Sequence, residues 1–120
     1  MVLKKSESLK KNSDFRFIYR KGRSQANKYI VIYYLKNETG RNRLGISVSK
    51  KVGNSVVRHH LTRLVRESYR KHEDEFVDGL DMIVVLRPRA KEIDFFDMER
   101  ALCSLSSDLG LINKERNICD

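Results

Sequence analysis

Apolar residues recur along this chain with two periods, and the periods divide it into elements. Phe15, Ile18 and Tyr19 have helical spacing, with Ser13 as candidate N-cap and Gly22 as stop. Residues 28–36, KYIVIYYLK, are rich in β-branched and aromatic side chains and predict a strand. Its alternation puts Tyr29, Val31, Tyr33 and Leu35 on one face and Ile30, Ile32 and Tyr34 on the other. In residues 43–49, Leu44, Ile46 and Val48 alternate with small or polar residues. This predicts a second strand, antiparallel to the first across the Gly40-containing turn at 37–42. A helix opens at Asn54 or Ser55 and runs to about Lys71. HEDEFVDG is an acidic connection. Residues 81–87 are a continuous apolar strand ended by Pro88. The spacing of Phe95, Met98, Leu102, Leu105 and Leu109 predicts a helix over 94–109, closed by Gly110.

The order αββαβα, with room for a short strand near 22–25, implies an α+β sandwich. The segment 43–87 has the form of a βαβ crossover, for which the right-handed form is the default. At 120 residues the chain reads as one domain. Residues 1–12 form a lysine-rich, loosely ordered arm, and 111–120 a frayed tail.

Charge changes the picture at the helix 55–71. At about 100° per residue, Val57, Leu61, Leu64 and Val65 gather on one side, and His59, Thr62, Arg63, Arg66 and Arg70 on the other. Arg58 lies nearer the apolar border, beside Val65 and Tyr69. Lys50 and Lys51 precede the helix. The formal net charge is +9, and it is unevenly placed. Residues 1–72 hold 19 Lys and Arg against 4 acids, a net of +15, and residues 73–120 hold 6 against 12, a net of −6. A row of guanidinium groups spaced by a helical turn matches successive phosphates, and only Glu67 lies within the helix to balance it. The partner expected is RNA or DNA. Phe15, Tyr19 and Tyr33, near this basic region in sequence, are candidates for stacking unpaired bases.

Catalytic constellations are lacking. No P-loop, GxGxxG or Ser-His-Asp pattern occurs. Adjacent His59 and His60 point about 100° apart on a helix and chelate one metal poorly. Asp94, Asp97 and Glu99 lie in the acidic part, away from the basic face where a two-metal nuclease would need them. Cys103 and Cys119 have no zinc-ligand spacing and read as free thiols. With no signal peptide and no membrane-length apolar run, a cytoplasmic protein is expected. On these grounds three readings stand: a general RNA-binding or ribosome-associated protein, a self-sufficient metal nuclease, and a basic module for acidic proteins.

The stretch KKVGNSVVRHHLTRLVR resembles the signature of the bacterial ribonuclease P protein subunit, Lys-Lys-x-Gly-Asn-Ala-Val-x-Arg-Asn-Arg-x-Lys-Arg-x-x-Arg. The likeness extends to LKKNSDFRFIYRKGRS and RLGISVSKK and covers about residues 9–105. It implies an αβββαβα fold of the ribosomal-protein S5 domain 2 type with a left-handed βαβ crossover. It implies the protein subunit of a ribonucleoprotein endoribonuclease that removes the 5′ leader of precursor tRNA. The catalytic RNA subunit would do the chemistry with Mg²⁺, no obligate protein partner being evident. Lys50, Lys51, Asn54, Arg58, His59, Arg63, Arg66 and Arg70 would meet the RNA subunit. Phe15, Tyr19, Tyr33, Arg58 and Arg66 would grip the leader of precursor tRNA. The chain departs from the pattern where His59-His60 stand for Asn-Arg and Thr62 for Lys, so two cations are missing.

Overall fold

The computed structural model describes residue 3 and residues 5–113. Strand β1 (Glu7–Ser8) leads into helix α1 (Asn12–Lys21). Strands β2 (Arg23–Ala26), β3 (Ile30–Lys36) and β4 (Arg43–Ser47) follow, then helix α2 (Ser55–Lys71), strand β5 (Leu80–Leu86) and helix α3 (Phe95–Asp108). Short 3₁₀ helices at Glu73–Glu75 and Pro88–Glu92 flank β5.

The five strands form one mixed sheet in the order β1-β4-β5-β3-β2. The predicted hairpin between β3 and β4 is not formed. They run in opposite directions, but β5 lies between them, antiparallel to β3 and parallel to β4. The reason is in β5 itself. Apart from Asp81, its side chains are apolar on both faces, and all but Val85 are buried, so it takes the centre of the sheet. The β4–α2–β5 crossover is thereby realised between neighbouring parallel strands. The true hairpin is β2–β3, from the short strand expected near 22–25.

The two sheet faces are covered unequally. Helices α2 and α3 bury the larger core, in which Leu61, Leu64, Val65, Tyr69, Met98, Leu102 and Leu105 meet Ile30, Ile32, Leu44, Met82 and Val84. Among the described elements helix α1 alone crosses the other face, over Leu9, Ile18 and Ile83, with Phe15, Tyr33, Leu35 and Val85 partly buried around them. Each fully buried aliphatic side chain contributes about 1.5–3 kcal/mol. Tyr29 precedes the strand proper and packs with the α3-side core, not with Tyr33 as the alternation implies.

The ends of the chain are better held than the sequence suggests. Within the arm, Glu7 and Leu9 donate backbone hydrogen bonds to Asn42 and Leu44. The Lys5 and Ser6 amides donate to the Glu73 carboxylate. Leu9 is buried under α1. Helix α1 starts one residue before Ser13, capped by Lys11 with no side-chain bond. At the far end, Gly110 is left-handed (φ 73°). The Gly110 and Leu111 amides return to Ser107 and Ser106, closing α3 in a Schellman motif. Leu111 and Ile112 are buried, and Ile112 bridges Phe76, so the tail expected to fray is anchored at its start. Its remainder, 114–120 with Cys119, lies outside the described residues. Cys103 is buried on α3. No helix among the described residues is long and apolar enough to cross a membrane.

Candidate nucleic-acid interface

The turn before α2 is built by its non-basic residues. Val52 is buried, and its amide bonds to Ser49. A side chain at Gly53 would bring a Cβ within 2.7–2.8 Å of the Val57 side chain, so only glycine lets the turn lie against the helix. Asn54 caps α2, its side-chain oxygen accepting the Val57 amide at 3.0 Å. Of the predicted RNA contacts, Asn54 thus has a structural duty. These three residues hold Lys50 and Lys51, both exposed, at the positive end of the helix.

Along α2 the two faces divide as the periodicity requires. Leu61, Leu64, Val65, Ser68 and Tyr69 are buried. His59, Arg63 and Arg70 are exposed, and Arg66 is half-buried. Among the described residues none of Lys50, Lys51, Arg63, Arg66 and Arg70 has an acidic partner, whereas Lys5, Arg41, Arg43, Lys71 and Arg100 do. Arg43 is the strongest contrast. It grips Asp81 in a fork at 2.8 and 2.7 Å and reaches Asp14 at 3.4 Å. The hydrogen bond to Asp81 raises its pKa further. Arg43 is a bolt between α1, β4 and β5, and the α2 row is free for an external polyanion.

Arg58 stands apart from that row. It lines a shallow groove with Ile46, Val48, Ser55, His59 and Thr62, where α2 meets the end of β4. Its Nε is buried with no hydrogen-bond partner among the described residues. Thr62 spends its hydroxyl donor on the Arg58 carbonyl at 2.9 Å. Beyond Leu44, β4 has no strand on its outer side among the described residues, because β1 pairs only with Arg43 and Leu44.

The aromatic set lies on the opposite face of the sheet. Phe15 and Tyr19 are 6.2 Å apart between ring centroids, and Tyr19 meets Tyr33 edge-on at 4.8 Å. Phe15 comes this close to the strands because position 45 is glycine. A Cβ there would lie 2.7 Å from the Phe15 ring tip. Next to this aromatic wall the register aligns Ala26, Val31, Val85 and Ser47 in one row across four strands. None of the four is fully buried. The result is a cleft with an aromatic wall and a flat, small-residue floor, suited to unpaired bases. Sequence reasoning found the wall and missed the floor, which exists only through strand pairing. Arg58 and Arg66, expected at the cleft as well, belong to the helix on the other side of the sheet.

No group of three His, Cys, Asp or Glu side chains among the described residues could hold a metal ion. His72, the third histidine, is buried between Glu75 (2.6 Å) and Glu99 (2.7 Å) and joins the end of α2 to α3. Burial pushes the Glu99 carboxyl up, but hydrogen bonds from His72 and Lys71 outweigh it and leave the pKa below its ordinary value.

Comparison with known proteins agrees with this architecture. The family model described as Ribonuclease P matches residues 3–110. The ribonuclease P protein component of Lachnoclostridium phytofermentans is 52% identical over 101 residues, covering 84% of this chain and 87% of that one. That of Alkaliphilus metalliredigens is 45% identical over 111 residues, covering 92% and 100%. Among solved structures, the Staphylococcus aureus RNase P protein superposes with a TM-score of 0.84 at 38% identity, covering 91% of this chain and all of that one. The Thermotoga maritima RNase P protein gives 0.77 at 33% identity, covering 82% and 94%.

Proposed function

The chain belongs to the ribonuclease P protein family, the protein subunit of a tRNA-processing endoribonuclease, and from that membership we propose how its two surfaces divide the work. The basic side, Lys50, Lys51, Arg58, His59, Arg63, Arg66 and Arg70, docks on the catalytic RNA subunit. The cleft of Phe15, Tyr19 and Tyr33 holds the single-stranded 5′ leader of precursor tRNA. The protein carries no active site of its own and works by positioning: it screens repulsion between two RNAs and fixes the leader.

The observation that carries this reading is the unpaired cation row of α2, in a domain whose other cations include several that are paired internally. Leaving three arginines, Arg63, Arg66 and Arg70, without counter-charges on one helix face is unfavourable in the free protein. The arrangement gains its favourable energy when RNA phosphates replace the solvent ions. The chemistry is assigned to the RNA; among the described residues no three His, Cys, Asp or Glu side chains gather as metal-assisted hydrolysis by the protein would need. In this reading the Mg²⁺ of the reaction is held mainly by the RNA. A cytoplasmic location follows from the same role.

The test is reconstitution with the organism's own RNA subunit at low Mg²⁺, following leader removal. The protein should be required at low Mg²⁺ and inactive without the RNA. Arg63→Ala with Arg66→Ala should weaken RNA-subunit binding and lower the log–log salt slope by roughly 1.4–1.8, about 0.7–0.9 per lost phosphate contact. A salt-independent affinity, or cleavage by the protein alone, would refute this reading.

A further inference from the structure

The outer face of α1 takes no part in the site described above. At about 100° per residue, Ile18 points into the sheet, and Arg16, Phe17 and Arg20 point away from it. Phe17 is 48% exposed, and the Arg20 guanidinium lies 5.8 Å above its ring. Arg16 and Arg20 are one turn apart, and Lys21 ends the helix. Among the described residues none of these three cations has an acidic partner. The helix's single acid, Asp14, lies on the flank away from Arg16 and Arg20, two turns before Lys21, and reaches Arg43. A lone exposed phenylalanine needs no explanation. An exposed ring bracketed by three unopposed cations has the composition of a single-strand nucleic-acid track, in which the ring stacks a base and the guanidinium groups take phosphates.

The face is also continuous with the cleft. Around α1 the order is Phe15, Tyr19, Arg16, Arg20, Phe17. Tyr19 touches Tyr33 inside the cleft and is itself exposed toward Arg16. We infer that Arg16, Phe17 and Arg20 form a second, sequence-tolerant track for single-stranded RNA, which takes the leader nucleotides that run beyond the aromatic cleft. The inference rests on the leader-binding role proposed above. It adds that affinity depends on leader length past the cleft.

The test uses the reconstituted holoenzyme and two precursor tRNAs. One has a leader just long enough to fill the cleft, and the other is extended by about six nucleotides, within the span of known single-strand sites. The wild type should bind the extended precursor more tightly. Arg16→Ala/Phe17→Ala/Arg20→Ala should erase that gain, about tenfold for one stacked base and two phosphates, and leave the short precursor unchanged. Tyr33→Ala should weaken both. If the wild type ignores the leader altogether, the cleft reading fails first and takes this one with it. If leader dependence is intact but the triple variant binds the extended precursor as well as the wild type, the track alone is overturned. Weakened binding of the RNA subunit in the absence of substrate also overturns it, by assigning the face to that subunit. Should the triple variant melt early, Arg16→Gln/Arg20→Gln, which keeps Phe17, decides through the salt slope of the extended precursor.

Discussion

Gly45→Ala isolates the cleft from the cation row. The new methyl carbon would sit 2.7 and 2.9 Å from two Phe15 ring carbons and 3.2 Å from Leu9 Cδ1. Ordinary carbon contacts begin near 3.5 Å, so the ring tip must withdraw by roughly 1 Å. Backbone is not involved, and the clash is with a side-chain end, so α1 shifts or Phe15 turns outward while the sheet stays paired. Overpacking of this size costs about 1–3 kcal/mol. Alanine recovers about 0.5–1 kcal/mol of the conformational entropy that glycine loses on folding. The net destabilisation is then between about 0 and about 2.5 kcal/mol. The functional effect should exceed this modest change, because Phe15 leaves the wall on which bases stack, worth about 1–3 kcal/mol per base. The assay compares holoenzyme affinity for precursor tRNA with that for the mature tRNA. Gly45→Ala should lower the first by about tenfold and leave the second and the RNA-subunit affinity unchanged. Adding Phe15→Leu, which clears the ring tip, should restore stability but not leader affinity. Equal losses on precursor and mature tRNA, or none on either, would refute the geometry.

Asn54→Ala removes the α2 cap and should cost about 0.5–2 kcal/mol in urea unfolding. It should also weaken RNA-subunit binding by loosening the Lys50–Lys51 turn, and Asn54→Asp, which can cap, should restore stability. Glu99, with its pKa held below the ordinary value in the folded state, contributes stability that is present above the ordinary carboxylate range and lost as pH falls through the depressed value. Glu99→Gln should therefore be least stable relative to the parent near neutral pH, the difference closing in acid, as read from unfolding curves across pH.

The outcome for each element follows from how local its cause is. The two faces of α2 were legible because a helix fixes about 100° between successive residues whatever surrounds it. The cation row therefore needed only the order of Arg63, Arg66 and Arg70 against Leu61, Leu64 and Val65. The opposite faces of Ile32 and Tyr33 followed from strand alternation in the same way. Tyr29 escaped because it stands one residue before the regular strand.

Sequence by itself thus determined the elements, the apolar face of each and the concentration of positive charge in the first two thirds, all properties of residues within a few positions of one another. Tertiary structure decided what depends on distant segments meeting. β5 entered between β3 and β4 because a strand apolar on both faces but for Asp81 loses most by standing at an edge. Phe15 reached the sheet because a glycine some thirty residues away leaves room for its ring. Arg43 became a bolt and Arg63 a free charge because Asp81 lies beside the one, and no carboxylate among the described residues lies beside the other. Two residues of the same type acquired different roles from their neighbours across the fold, and no period along the chain records those neighbours.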